Sequence, residues 1–210
     1  MSHGQNALFA LAALLVFWGV GAYNRLVRLR GAAVAVWAPM DAQLRRRQAL
    51  AFELAGLLAA QTVMDNATGR ATLQALAAAT RQAQAAADHA LVRPSRAEAI
   101  QSLGLAEQVF ESALRPLRAL IEARQAHFEG DETGPRVQSL LQALSEADTQ
   151  LAFARGVFND AVEAFNGAIH EQPTCLLARL FSFQPAAVLP GAAPERSADT
   201  QGVLSLGDRA

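Results

Sequence analysis

The chain has 210 residues, 52% of them apolar, and a formal net charge of −1. A single cysteine excludes a disulfide framework or a multi-cysteine zinc site. Near-neutral charge excludes nucleic-acid binding by bulk positive charge. The 47 alanines and 29 leucines, both strong helix formers, make up over a third of the chain and argue for an all-α protein. All 18 basic residues are arginine, which removes lysine-based Schiff-base and P-loop chemistry and reads as the coding bias of a GC-rich bacterium.

A short N-terminus, residues 1–6, precedes Ala7–Tyr23, which carries no charge over 17 positions. As a helix this stretch spans roughly 25 Å, near the thickness of a bilayer core. Trp18 and Tyr23 sit toward its far end, where amphipathic rings favour the headgroup zone. Arg25, Arg28 and Arg30 follow directly and set the topology by the positive-inside rule: N-terminus outside, remainder in the cytoplasm. Val20-Gly21-Ala22 offers a signal-peptide cleavage site, so a periplasmic product is the alternative.

Residues 24–188 are expected to form a helical bundle. The first stretch runs to about Met64 with the stripe Trp37, Met40, Leu44, Ala51, Leu54 and Leu58, and Pro39 predicts a kink or fresh start near Trp37. Asp65–Gly69 is a break; its Asn66-Ala67-Thr68 sequon has no meaning in a bacterial cytoplasm. The second stretch, about Thr68 to Leu91, turns Leu73, Leu76, Thr80, Ala87 and Leu91 inward. The third opens with a capping box at Ser95–Glu98 and carries Ile100, Leu103, Phe110, Leu114, Leu117, Ile121 and Phe128, interrupted by Pro116. A polar turn at Glu129–Pro135 leads to the fourth, with Val137, Leu141, Leu144, Leu151, Phe158, Val162, Phe165 and Ile169. Pro173 stops it, and a short apolar element, Cys175–Phe181, follows. Such stripes bury only against one another, so three to four long helices form an antiparallel bundle behind the transmembrane helix. Residues 189–210 read as a disordered tail.

Polar residues on the stripes are the candidate site. Asp148 and Arg155 stand where the fourth helix calls for apolar side chains, and Arg47 does so on the first, with Asp41 nearby. If these helices run antiparallel, paired positions sum to about 195–200. That sets Arg155 near Asp41 and Asp148 near Arg47, as two cross-helix ion pairs that balance otherwise costly buried charge. They either fix bundle register, as polar residues do in coiled coils, or line an interior site for a small ligand. No nucleophile elbow, zincin, P-loop or dinucleotide motif occurs. His3, His89, His127 and His170 are scattered, with no metal-ligand spacing. No catalytic, metal or cofactor residue is therefore expected, nor a cofactor, a nucleic-acid partner or a small-molecule substrate. Cys175 reads as a plain buried cysteine, with juxtamembrane lipidation the alternative.

Several blocks resemble the LemA family. Tyr23–Arg30, then Trp37, then Asp41-x-Gln43-Leu44-x-Arg46-Arg47 resemble its opening. Leu151–Arg155 followed by Phe158-Asn159-Asp160-Ala161-Val162 and Phe165-Asn166 resembles its central run, and Pro173–Phe183 its closing segment. The likeness spans Tyr23 to Val188, weakest in the middle; Gln48–Leu54 replaces a run that the family builds from Asp, Pro and Asn. The resemblance implies a bundle anchored once in the bacterial inner membrane, N-terminus outside, and no enzyme activity. It adds Asn159 and Trp37 to Asp41, Arg47, Asp148 and Arg155 as structural or interaction candidates. The anchor, the stripes and the lack of a reactive constellation point to a scaffold that binds a protein partner or self-associates in the membrane. A signalling or envelope-stress component beside a membrane protease or kinase is the alternative.

Overall fold

A computed structural model describes residues 2–59, 66–92, 94, 96–123 and 133–191. Among them six helices and no strand occur: α1 Ser2–Ala35, α2 Trp37–Ala59, α3 Ala67–Val92, α4 Ala97–Glu122, α5 Gly134–His170 and α6 Thr174–Leu180. The fold is all-α, a packed bundle behind one long apolar N-terminal helix.

That helix passes from apolar segment to bundle without a linker. It is exposed on all sides over most of residues 4–25, and its most apolar window buries nothing. By length and composition it can cross a membrane. Leu26 and Ala33, two turns apart, then become buried, with Leu29 packed between them. The break near Trp37 falls at Val36 and its cause is Pro39. Val36 N–H still reaches Ala32 O (3.2 Å), but proline has no N–H for the carbonyl of Ala35, four residues back. The stripe Trp37, Met40, Leu44, Ala51, Leu54, Leu58 is buried throughout α2.

Asn66 starts α3: its Oδ1 accepts the Gly69 N–H at 2.6 Å, a side-chain N-cap. The inward face of α3 is Leu76, Thr80, Ala83, Ala87 and Ala90; Leu91 is 48% exposed, so the stripe ends a residue earlier than its periodicity suggests. Ile100, Leu103, Phe110, Leu114, Leu117 and Ile121 are buried on α4, with Pro116 inside the helix. Ser95 and Phe128 lie outside the described residues, as do 192–210 and most of the turn before Pro135. Pro135 occupies the first turn of α5.

The helices pack in the sequence α4–α3–α2–α5, with α1 and α6 against the C-terminal half of α5. Between α4 and α5 lies an extended segment, residues 183–191. It leaves α6 through a Schellman turn: Phe183 N–H bonds Ala178 O (2.9 Å), Ser182 N–H bonds Arg179 O (3.2 Å), and Ser182 takes the left-handed conformation, φ 54°. Two asparagines on α5, two turns apart, hold the segment. Asn166 Nδ2 donates to Ala186 O (2.8 Å) and its Oδ1 accepts from Ala186 N (2.9 Å). Asn159 Nδ2 donates to Leu189 O (3.0 Å) and its Oδ1 accepts from Leu189 N (2.8 Å). Across the groove the segment lies so close to α4 that a Cβ on Gly104 would stand 2.9 Å from Pro190 Cγ. Leu189 is fully buried, so the packed chain includes a residue that composition assigns to the tail.

Candidate functional site

The apolar interior is two cores. One joins Leu26, Trp37, Met40, Leu44, Ile100, Leu103, Leu151, Phe158, Phe165 and Leu189; the other joins Leu54, Leu58, Leu76, Phe110, Leu114, Leu117, Val137 and Leu144. Between them the stripes of α2, α4 and α5 turn polar together.

Arg47 on α2 is the centre of this layer, only 5% exposed. Its Nε donates to Asp148 Oδ1 on α5 (2.6 Å) and its Nη1 to Glu107 Oε2 on α4 (2.9 Å). Its Nη2 donates to Glu111, also on α4. The guanidinium carbon lies 4.8 Å from the centre of the Phe110 ring, adding a cation–π contact. Arg118 closes the network from α4, donating to Asp148 Oδ2 at 2.6 Å and lying 3.7 Å from Glu111 Oε1. Gln48 Nε2 donates to Glu107 Oε1 (3.1 Å). Arg47, Arg118 and Arg155 thus face Glu107, Glu111 and Asp148, and the formal charges cancel.

Burial still leaves a mark. Desolvation raises the Glu107 carboxyl above the usual range, against the pull of Arg47, Gln48 and Arg155. Burial likewise lowers the Arg155 guanidinium, and Glu107 is the strongest charge opposing it. Arg155 Nε, Asp41 Oδ1, Gln48 Oε1 and Trp37 Nε1 are buried and accept or donate no hydrogen bond among the described residues.

Antiparallel register therefore places Arg47 against Asp148, as the polar breaks in the two stripes imply. The second expected pair, Asp41 with Arg155, does not form. Asp41 is taken by Arg45 one turn along its own helix (2.8 Å), and Arg45 also binds Asp88 on α3 (2.7 Å). These two carboxylates raise the Arg45 guanidinium above its ordinary value. Arg155 is set mainly by its burial, with Glu107 the strongest charge opposing that cost, and the end of the docked C-terminal segment, Gly191, lies beside its Nη1. Trp37 is a core residue, 2% exposed and edge-on to Phe158 at 5.5 Å. Asn159 clamps Leu189 and does not join the charged layer.

Glu107, Glu111 and Arg118 escape a reading of apolar stripes. A signal was present: the α4 stripe jumps from Leu103 to Phe110, and Glu107 fills the gap just as Arg47 fills its own on α2. Arg25, Arg28 and Arg30, given a topological role by the sequence, lie near the start of the bundle, away from the charged layer. Arg25 pairs with Glu171 at 2.6 Å on the surface, and Arg28 is exposed. Arg30 lines a cavity of about 730 Å³ with Arg96, Glu98 and Gln184. None of the charged-layer residues lines that cavity. Cys175 is half-buried and reduced, and His89 and His170 are exposed. Among the described residues no group of His, Cys, Asp and Glu has metal-site geometry.

A sequence model of the LemA family matches residues 36–200, from the start of α2 into the C-terminal tail. No curated protein and no solved structure matches the chain. The matched range holds the charged layer and both asparagine clamps, and by this match the chain belongs to the LemA family.

Proposed function

We propose that this protein is a non-enzymatic scaffold, anchored once in the bacterial inner membrane, whose cytoplasmic bundle presents its surface to a protein partner. The observation that carries the reading is the unbroken passage of α1 from an exposed apolar stretch into the bundle core at Leu26 and Ala33. A flexible linker would let the bundle tumble free of its anchor; a continuous helix fixes its orientation to the bilayer. Arg25, Arg28 and Arg30 at the exit favour the cytoplasmic side.

The charged layer supports the structural half of the reading. Arg47 spends its whole guanidinium on carboxylates from two other helices, and Asp148 divides its oxygens between Arg47 and Arg118. Groups so engaged are poor acids, bases or nucleophiles, and good determinants of register. In the same way Arg45 is bound to Asp41 and Asp88, and Arg46 to Gln150 (2.9 Å), so the triple-arginine run serves the bundle and not a lipid surface.

Crosslinking in intact cells tests the reading. A defined membrane-protein neighbour, or a crosslinked oligomer of this chain, is expected. Recovery of the monomer alone under every crosslinker contradicts it. A neighbour that is a protease or kinase and is bound only under envelope stress favours the signalling alternative.

A further inference from the structure

The short helix α6 has one face with no partner among the described residues of the bundle. Thr174 and Ala178 point inward and are buried, while Leu176 is 65%, Leu180 73% and Phe181 52% exposed. Leu176 and Leu180 lie four residues apart and share a face, with Phe181 beside them.

The position of this face is fixed by α1. Tyr23, the last residue of the uncharged stretch, packs its ring on Phe181 at 4.9 Å and on Phe183 at 5.9 Å. Two residues on, Arg25 is tied to Glu171, just before α6, at 2.6 Å. The apolar edge of α6 therefore continues the apolar surface of α1 at the level where that surface ends. Two arginines on these helices are exposed, Arg28 on α1 and Arg179 on α6, while Glu171 is engaged by Arg25. Arg28 stands about 7 Å further along α1 than Tyr23, one headgroup layer above the end of the apolar stretch.

We propose that α6 is a second membrane contact: its Leu176–Leu180–Phe181 edge enters the interfacial layer of the bilayer that α1 spans, with Arg28 and Arg179 among the anionic headgroups. This rests on α1 being a membrane helix and holds for either side of the membrane. The geometry is that of an interfacial helix, with apolar side chains at the acyl boundary and arginine above them. With α1 across the bilayer and α6 against its surface, the bundle has two points of support and cannot rotate freely about the anchor.

The test uses the full chain reconstituted into vesicles of phosphatidylethanolamine and phosphatidylglycerol. In a Cys175→Ser background, single nitroxide labels replace Leu176, Leu180, Leu15 within the anchor, and Phe153 on the outer face of α5. Phe153 is 76% exposed and serves as an apolar control away from the membrane. Oxygen accessibility relative to a water-soluble nickel reagent is expected to rise several-fold at Leu176 and Leu180 over Phe153, and to be highest at Leu15. Labels at 176 and 180 that behave like Phe153, while Leu15 reads as lipid, overturn the second contact and leave the anchor standing. A water-like reading at Leu15 as well overturns both. Spin–spin broadening at Leu180 that vanishes on dilution with unlabelled protein, without raised oxygen access, assigns the face to a second copy and overturns the lipid contact.

Discussion

Arg47 is a buried cation shared by three carboxylates, and its removal strands them. Arg47→Met is therefore expected to cost about 3–5 kcal/mol of unfolding free energy, measured by denaturant titration of the bundle, because the cost is that of uncompensated buried charge. A loss below about 1 kcal/mol, as for a surface pair, would mean the layer is solvated. Glu107 gives the opposite prediction. Its folded-state carboxyl is raised above the unfolded value, so the folded protein holds the proton longer. Stability linked to this group is greatest at low pH and falls as pH rises from the usual carboxylate range through the raised value. Glu107→Gln removes that dependence and keeps an acceptor for Arg47. It also gives Gln48 Oε1, which has no partner, a donor to meet if the amide turns over. The melting temperature of the variant relative to the parent is expected to improve from pH 5 to pH 8; a difference that is flat or declining with pH refutes the buried ionised carboxyl.

At the level of elements, apolar period made the long helices legible, because each buries a stripe that repeats every three or four residues. The same period exposed Arg47 and Asp148 as breaks and gave the α2–α5 register through them. It failed for Asp41 and Arg155, since sequence sums place backbones together but do not choose side-chain directions. Arg45, one turn away on the same helix, takes Asp41, and Arg155 is left buried with no partner for its Nε among the described residues. It was blind to residues 183–191, which have no period because they are held by backbone bonds to two asparagine side chains. Asn159→Ala deletes both bonds to Leu189, at about 1 kcal/mol each. Loss of hydrogen-exchange protection at the Leu189 amide is expected, with the amides of mid-α5 unchanged. Retained protection at Leu189 would show that burial alone holds the segment.

For the whole molecule, the composition is best understood by place. The apolar excess divides between the exposed apolar stretch of α1 and two modest cores, and the arginines singled out by the sequence divide between the end of that stretch, the surface of α2 and the charged layer. The continuity of α1 with the bundle joins these parts mechanically: whatever fixes the anchor fixes the bundle. The central claim is that this joined body hangs from the inner membrane with its bundle in the cytoplasm. Reporter fusions after Gly191 test it directly. A green fluorescent protein fusion is expected to be fluorescent in the membrane fraction and an alkaline phosphatase fusion inactive; an active phosphatase with a dark fluorescent fusion would place the bundle outside and contradict the account.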